Sequence, residues 1–172
     1  MDRSFTIERV APRGRDAVVI LCALRRDSRS RVVPRSRVTH LLSPILLRAA
    51  DLRWRLHGAS LFTAPRATFF VARDARGVIG CGGLCRDDDS TAEIRRIYVR
   101  PDARGRGVAR ELLAALIRAA SELGYERVRL ETSEYQLEAL ELYRSSGFEP
   151  IRPWGRFTGN SRSRCFELSL RS

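Results

Sequence analysis

The stretch RGRGVA, Arg104 to Ala109, carries the most pointed chemistry in the chain: two glycines one residue apart, flanked by arginines, just before a run with helical periodicity. Such a loop is an anion site by construction. The first turn of a helix points unpaired N–H groups outward, its dipole favours negative charge, and glycine lets the backbone come close to a ligand. Arg104 and Arg106 are expected to add charge and forked donors. The ligand expected is a phosphate or pyrophosphate. A nucleoside triphosphate loop needs a lysine after its last glycine, and this chain has none: its 32 basic residues are all arginine. A dinucleotide loop matches Gly105 and Gly107, with Glu131 where a ribose-binding acid would stand, but Arg110 occupies its third glycine position. The turn holding Pro101 is also too long for that crossover, and an antiparallel meander precedes it. A third ligand that uses such loops is coenzyme A, whose pattern Arg/Gln-x-x-Gly-x-Gly/Ala is fitted by RGRGVA.

Other chemistry-bearing residues have plainer readings. Cys22, Cys81, Cys85 and Cys165 lack the spacing of a disulfide framework. Cys81 and Cys85 fall on one strand, where four residues span roughly 13 Å, too far for two ligands of one zinc; free core thiols are expected. Asp87, Asp88 and Asp89 lack the glycine-centred loop and distal glutamate of a calcium site and read as a turn. No metal is expected. His40 and His57 are lone histidines that could act as bases or be structural.

The elements that must position the loop follow from periodicity. Residues 5–10 alternate like a strand, 15–26 read as a helix, and a second helical region lies within 38–61. Residues 67–73, 78–85 and 91–99 form a three-strand meander, with Gly77 at a turn. Gly80, Gly82 and Gly83 on its middle strand imply a bulge or a close backbone approach. After the glycine loop, Val108, Leu112, Leu116 and Leu123 mark a helix ended by Gly124. Residues 127–132 form a strand. A helix with Ser133 as N-cap and Gly147 as its stop follows, then strands at 148–151 and 165–170.

With 172 residues, 44% hydrophobic and 30% charged, the chain reads as one domain with a sizeable core. It has no apolar run long enough to span a membrane. The N-terminal MDRSFTIERV lacks an apolar signal core, so a cytoplasmic protein is expected. The net charge of +12 admits nucleic acid or an acidic partner. The arginines scatter through every segment, however, and we read the excess as compositional. The densest cluster, Arg25 to Arg37, is expected to be a solvated loop.

From Ala67 onward the chain resembles the GNAT superfamily of N-acetyltransferases. The resemblance rests on FFVARD, GCGGL, AEIRRIYVRPDARGRGVARELL, LGYERVRLET, EALELYRSSGF and CFELSL, in that order. The tail RPWGRF…SRCFEL is similar to that of small bacterial members. The resemblance implies an α/β fold: a mixed, mostly antiparallel sheet of about six or seven strands flanked by helices. It divides the single domain into an acetyl-CoA-binding core, 67–172, and a divergent acceptor-side region, 1–66.

By the same resemblance, the amides of Arg104, Gly105, Arg106, Gly107, Val108 and Ala109 cradle the coenzyme pyrophosphate. The backbone of Ile97, Tyr98 and Val99, after a strand bulge, lines the pantetheine arm, with Gln136 as a further contact. Tyr143 is the candidate general acid for the leaving thiolate. Glu93 is the candidate base, because an amine with pKa near 10 is mostly protonated at neutral pH; a strand carboxylate paired with Arg95 or a cross-strand arginine is the other reading. The function implied is acetyl transfer from acetyl-CoA to a primary amine by direct attack in a ternary complex. The alternative is a non-catalytic acetyl-CoA-binding module that binds RNA or an acidic protein. The acceptor's identity and a homodimer stay open; the charge disfavours polycationic acceptors.

Overall fold

A computed structural model of the chain describes residues 4–32, 59–63 and 65–171. Its elements run β1 (Thr6–Arg9), α1 (Arg15–Val32), β2 (Thr68–Asp74), β3 (Gly77–Arg86), β4 (Thr91–Val99), α2 (Val108–Glu122), β5 (Arg127–Ser133), α3 (Leu137–Ser145), β6 (Glu149–Ile151) and β7 (Ser163–Ser169). The strands form one seven-stranded sheet in the order β1-β2-β3-β4-β5-β7-β6. Every neighbouring pair is antiparallel except β4 and β5.

Two apolar layers hold the sheet. On one face Ile94, Val128, Leu130 and Phe166 pack with Val108, Leu112 and Leu116 of α2 and with Leu140 and Tyr143 of α3. On the other face Phe69, Val71, Cys81 and Tyr98 pack with Ala17, Ile20 and Leu21 of α1 and with Phe62. Phe62 belongs to a short 3-10 turn, Ala59–Phe62. The glycines of β3 are there for close approach. A Cβ on Gly80 would meet the Tyr98 carbonyl at 2.9 Å, one on Gly82 would meet Leu116 of α2 at 2.8 Å, and one on Gly83 would overlap the Phe62 ring.

β3 carries a bulge against β2, where Ala72 pairs with Gly80 and Arg73 with Val78 so that Ile79 is the extra residue, and a second bulge lies on its other partner, β4. Tyr98 pairs with Cys81 and Arg95 with Gly83, so β4 carries one residue more than β3 across this interval. Arg96 takes the left-handed conformation, φ 63°. The extra residue resets the alternation: Ala92 and Ile94 face the α2 layer before it, Ile97 and Val99 after it.

α1 extends through Val32, so the arginine cluster begins on a helix, not in a loop. The helical region expected within 38–61 falls outside the described residues except for the Ala59–Phe62 turn, and so do His40 and His57. Ser133 does not cap α3. It ends β5, and Gln136 is the N-cap residue, because the β5–β7 ladder runs on to a Ser133–Ser163 pair before the chain turns. Gly124 and Gly147, at φ 78° and 84°, end α2 and α3 as the sequence predicts. The C-terminal carbonyls of α2 find a partner the sequence does not announce: the Arg66 guanidinium donates to Leu123 and Gly124 at 3.0 and 3.1 Å and stacks on Tyr125.

Candidate functional site

Between β4 and α2 the chain makes one 3-10 turn, Pro101–Ala103, and then the glycine loop. Gly105 and Gly107 both lie in the left-handed region, φ 74° and 85°, and Gly107 is the N-cap of α2. Alternating left-handed glycines with ordinary residues turns successive N–H groups to one side, the geometry of an anion nest. Among the described residues, the amides of Gly105 through Arg110 have no backbone acceptor. Among the described residues a Cβ on either glycine would meet nothing within 4 Å, so the space beside both glycines is open. A pyrophosphate group fits this donor set.

The two arginine side chains are engaged elsewhere. Arg104 donates to Asp27 at 2.7 Å and to the Val99 carbonyl at 3.2 Å. Arg106 donates to the buried Asp74 carboxylate at 2.7 Å, which holds Asp74 below the usual carboxylate range. The expectation that both guanidiniums offer their forks to the ligand is therefore corrected: they brace the loop against α1 and the β2–β3 turn, and the loop's amides are the open donors. The Arg106 Nε is buried and has no hydrogen-bond partner among the described residues. A chain of ion pairs continues from Asp74 to Arg76, Asp102 and Arg100 around the base of the loop.

The loop stands at one end of a split in the sheet. β4 and β5 pair only from Thr91–Arg127 to Ile94–Leu130. Beyond Ile94 the bulge carries β4 away from β5. The Arg100 amide bonds the Ile79 carbonyl at 2.8 Å; by the antiparallel alternation Tyr98 also turns its polar groups to β3, and Ile97 and Val99 turn theirs to the gap. Of the three residues expected to line this channel, Ile97 and Val99 present backbone and Tyr98 presents none. Tyr98 packs its ring under α1 instead.

Tyr143, on α3, is buried between Phe148 and Phe166, ring centroids 6.0 and 6.1 Å away. Burial and the nearby Glu131 carboxylate push its phenol up to about 12, so the ring keeps its proton far above neutral pH. Its hydroxyl has no hydrogen-bond partner among the described residues. Gln136 accepts from Thr132 Oγ1 at 3.2 Å through Oε1, leaving its amide nitrogen to donate.

Glu93 lies across β4 from Ile94, on the opposite face, and is paired in register with Arg129. It is 4% exposed. Its Oε1 accepts from Arg156 and lies 3.6 Å from the Arg95 Nε. Its Oε2 has no partner among the described residues. Glu93 is thus both a paired strand carboxylate, as one sequence reading has it, and a carboxylate with one oxygen open. Arg156 was not legible in the sequence. It comes from the β6–β7 connection 63 residues away, in the short 3-10 turn Gly155–Phe157. The aromatic-Gly-aromatic pattern of that loop was the available signal. Around Glu93 the same face carries Arg129, bonded to Glu167 at 2.6 Å and 3.8 Å from Asp87, and Glu131, which accepts from Ser163 at 2.6 Å.

Among the described residues no three His, Cys, Asp or Glu side chains converge as a metal site, and no helix is long and apolar enough to cross a membrane. No disulfide joins the four cysteines, and burial raises Cys85 to about 11.

The sequence model of the Acetyltransferase (GNAT) family matches residues 36–148. The chain is 36% identical over 107 residues to the IAA acetyltransferase of Azospirillum brasilense, covering 62% of this chain and 70% of that protein. It is 32% identical over 94 residues to YjgM, an uncharacterized N-acetyltransferase of Escherichia coli K12, covering 53% of this chain and 56% of that one. The chain thus spans little more than half the length of YjgM. Its fold is similar to that of the PaiA N-acetyltransferase of Thermoplasma acidophilum, solved in complex with coenzyme A. That likeness has a TM-score of 0.72 at 14% identity and covers 96% of this chain and 99% of that one.

Proposed function

The chain belongs to the GNAT acetyltransferase family, and on that premise we propose that it moves the acetyl group of acetyl-CoA to a primary amine by direct attack within a ternary complex. The observation that carries this reading is the open amide cradle of Gly105–Arg110 set at one end of the β4–β5 split. A pyrophosphate held by that cradle leaves a thioester arm free to run along the backbone of Ile97 and Val99, with the Gln136 amide as a further donor. Bound there, acetyl-CoA supplies an activated acyl group; the chain's own residues handle the protons.

Tyr143 is the general acid. Its phenol is protonated at any working pH, has no competing partner among the described residues, and is fixed by Phe148 and Phe166. It delivers its proton to the departing sulfur. Glu93 is the base. Oε1 is fixed by Arg156 and Arg95, and Oε2 takes the amine proton directly or through a water. The acceptor approaches on the Glu93 face, the side to which the divergent residues 1–66 contribute α1.

A turnover screen tests the proposal: the purified chain with acetyl-CoA and a panel of amines, followed by release of free thiol. Thiol release that depends on one class of amine is expected. Acetyl-CoA binding with no thiol release for any amine would overturn it.

A further inference from the structure

We propose that the acceptor is a zwitterion, an amine carrying a carboxylate a few atoms away as an α-amino acid does, and that Arg156 is the residue that receives the carboxylate. This rests on the acetyltransferase reading above. Arg156 is clamped in two ways. One Nη is bonded to buried Glu93, and the guanidinium lies over the Phe157 ring at 4.4 Å. Phe157 is itself held edge-on by Trp154 at 5.1 Å. The side chain is still 49% exposed. Among the described residues, Nε and the other Nη have no partner. A guanidinium fixed on one edge and one face, with its remaining donors bare, is pre-organised for a forked contact to an anion. Arg95, 3.6 Å from the same carboxylate oxygen, adds a second positive charge beside it.

The place gives the anion its meaning. Glu93 precedes Ile94, the last β4 residue paired with β5, so the fork stands where the sheet opens. An anion received there belongs to the molecule being acylated, since the pyrophosphate cradle lies beyond the far end of β4. The rest of the surface supplies the other half of a zwitterion site. Asp87, Glu93, Glu131 and Glu167 share this region with Arg95, Arg129 and Arg156, one more acid than base, in a chain whose net charge is +12. Arg129 is matched by Glu167 and Asp87, while Arg156, bonded to Glu93 through one Nη, keeps its remaining donors open among the described residues, and the Glu93 Oε2 is an open acceptor for an ammonium. Trp154 and Phe157 offer an apolar wall for whatever the amine carries besides.

The test uses the common L-amino acids, each beside its own carboxamide, with acetyl-CoA and the intact chain. For accepted pairs, kcat/KM for the carboxylate is expected to exceed that for the amide by roughly 10- to 100-fold, the range of a hydrogen-bonded charge. Arg156→Gln should raise KM for the amino acid, leave KM for acetyl-CoA unchanged, and bring the two members of each pair level. Arg156→Lys should restore part of the difference. If Arg156→Gln fails to fold by its thermal unfolding curve, Arg156→Lys carries the comparison, with a smaller acid-over-amide ratio than the wild type expected. Amides accepted as well as acids, or a variant that slows both alike, would overturn this inference while leaving the acetyltransferase reading intact. Acetyl-CoA binding without turnover of any amine would overturn both.

Discussion

Tyr143 and Glu93 make opposite demands on pH, and this separates their roles. Burial holds the Tyr143 phenol at about 12, so its proton is available across the neutral and alkaline range. Tyr143→Phe keeps the ring against Phe148 and Phe166 and removes only the hydroxyl. kcat should fall roughly 100-fold, the usual loss for an acid catalyst, with little change in KM for acetyl-CoA. That defect should persist as pH rises. Glu93→Gln should slow the reaction most near neutral pH and recover toward the amine's own pKa of about 10, where the acceptor arrives already deprotonated. kcat profiles of the wild type and both variants from pH 6 to about 10 decide the assignment. A Tyr143→Phe enzyme running at the wild-type rate throughout would reduce the tyrosine to core packing.

The elements extend this to residues that touch no substrate. Asp74 ends β2, yet it fixes the glycine loop through the 2.7 Å bond from Arg106. Asp74→Asn should raise KM for acetyl-CoA severalfold while leaving KM for the amine and kcat nearly unchanged, because the loop loses its brace and the reacting groups keep theirs. Equal KM values for acetyl-CoA would show that the loop holds its shape by backbone alone. This contact also marks the limit of sequence reading. The glycine loop, the meander and the two helices that follow were legible because their signals are local: positive-φ glycines, apolar spacing, helix stops. Arg104 and Arg106 read as ligand donors because their partners, Asp27 and Asp74, are distant in the chain. Arg156 was missed for the same reason: the aromatic-Gly-aromatic pattern marks its loop, but nothing local announces Glu93 as its partner. The Ser133 cap failed because a strand ladder reaching Ser163 outweighed a local capping pattern. The β3 glycines signalled both a close approach and a bulge, and β3 does bulge beside Gly80; the second bulge, on β4, is revealed only by cross-strand register.

At the scale of the molecule, the absence of lysine makes the alkaline range unusually simple. Arginine stays charged, so thiols and phenols are the side-chain classes left to lose protons as pH climbs. Burial raises Cys85 from 9 to about 11 and Tyr143 from 10 to about 12, and raises Cys81, Tyr98, Tyr125 and Cys165 as well. A group whose folded pKa lies above its unfolded value binds its proton more tightly when folded. Its contribution is therefore complete below about pH 9 and is lost as pH rises through 9 to 12. Urea midpoints measured at pH 8 and above should fall steadily over that window; a flat profile would contradict the burial of these groups. The whole account turns on one contact, the donor's pyrophosphate at the amide cradle, and calorimetric titration of acetyl-CoA into the wild type and Gly107→Asp tests it. The introduced Cβ meets no protein atom, so the variant should suffer only the strain of a side chain at φ 85°, about 1–2 kcal/mol, and stay folded. Its carboxylate would occupy the anion's place. The account predicts one-site saturable binding to the wild type and none to the folded variant; equal affinity for both would contradict it.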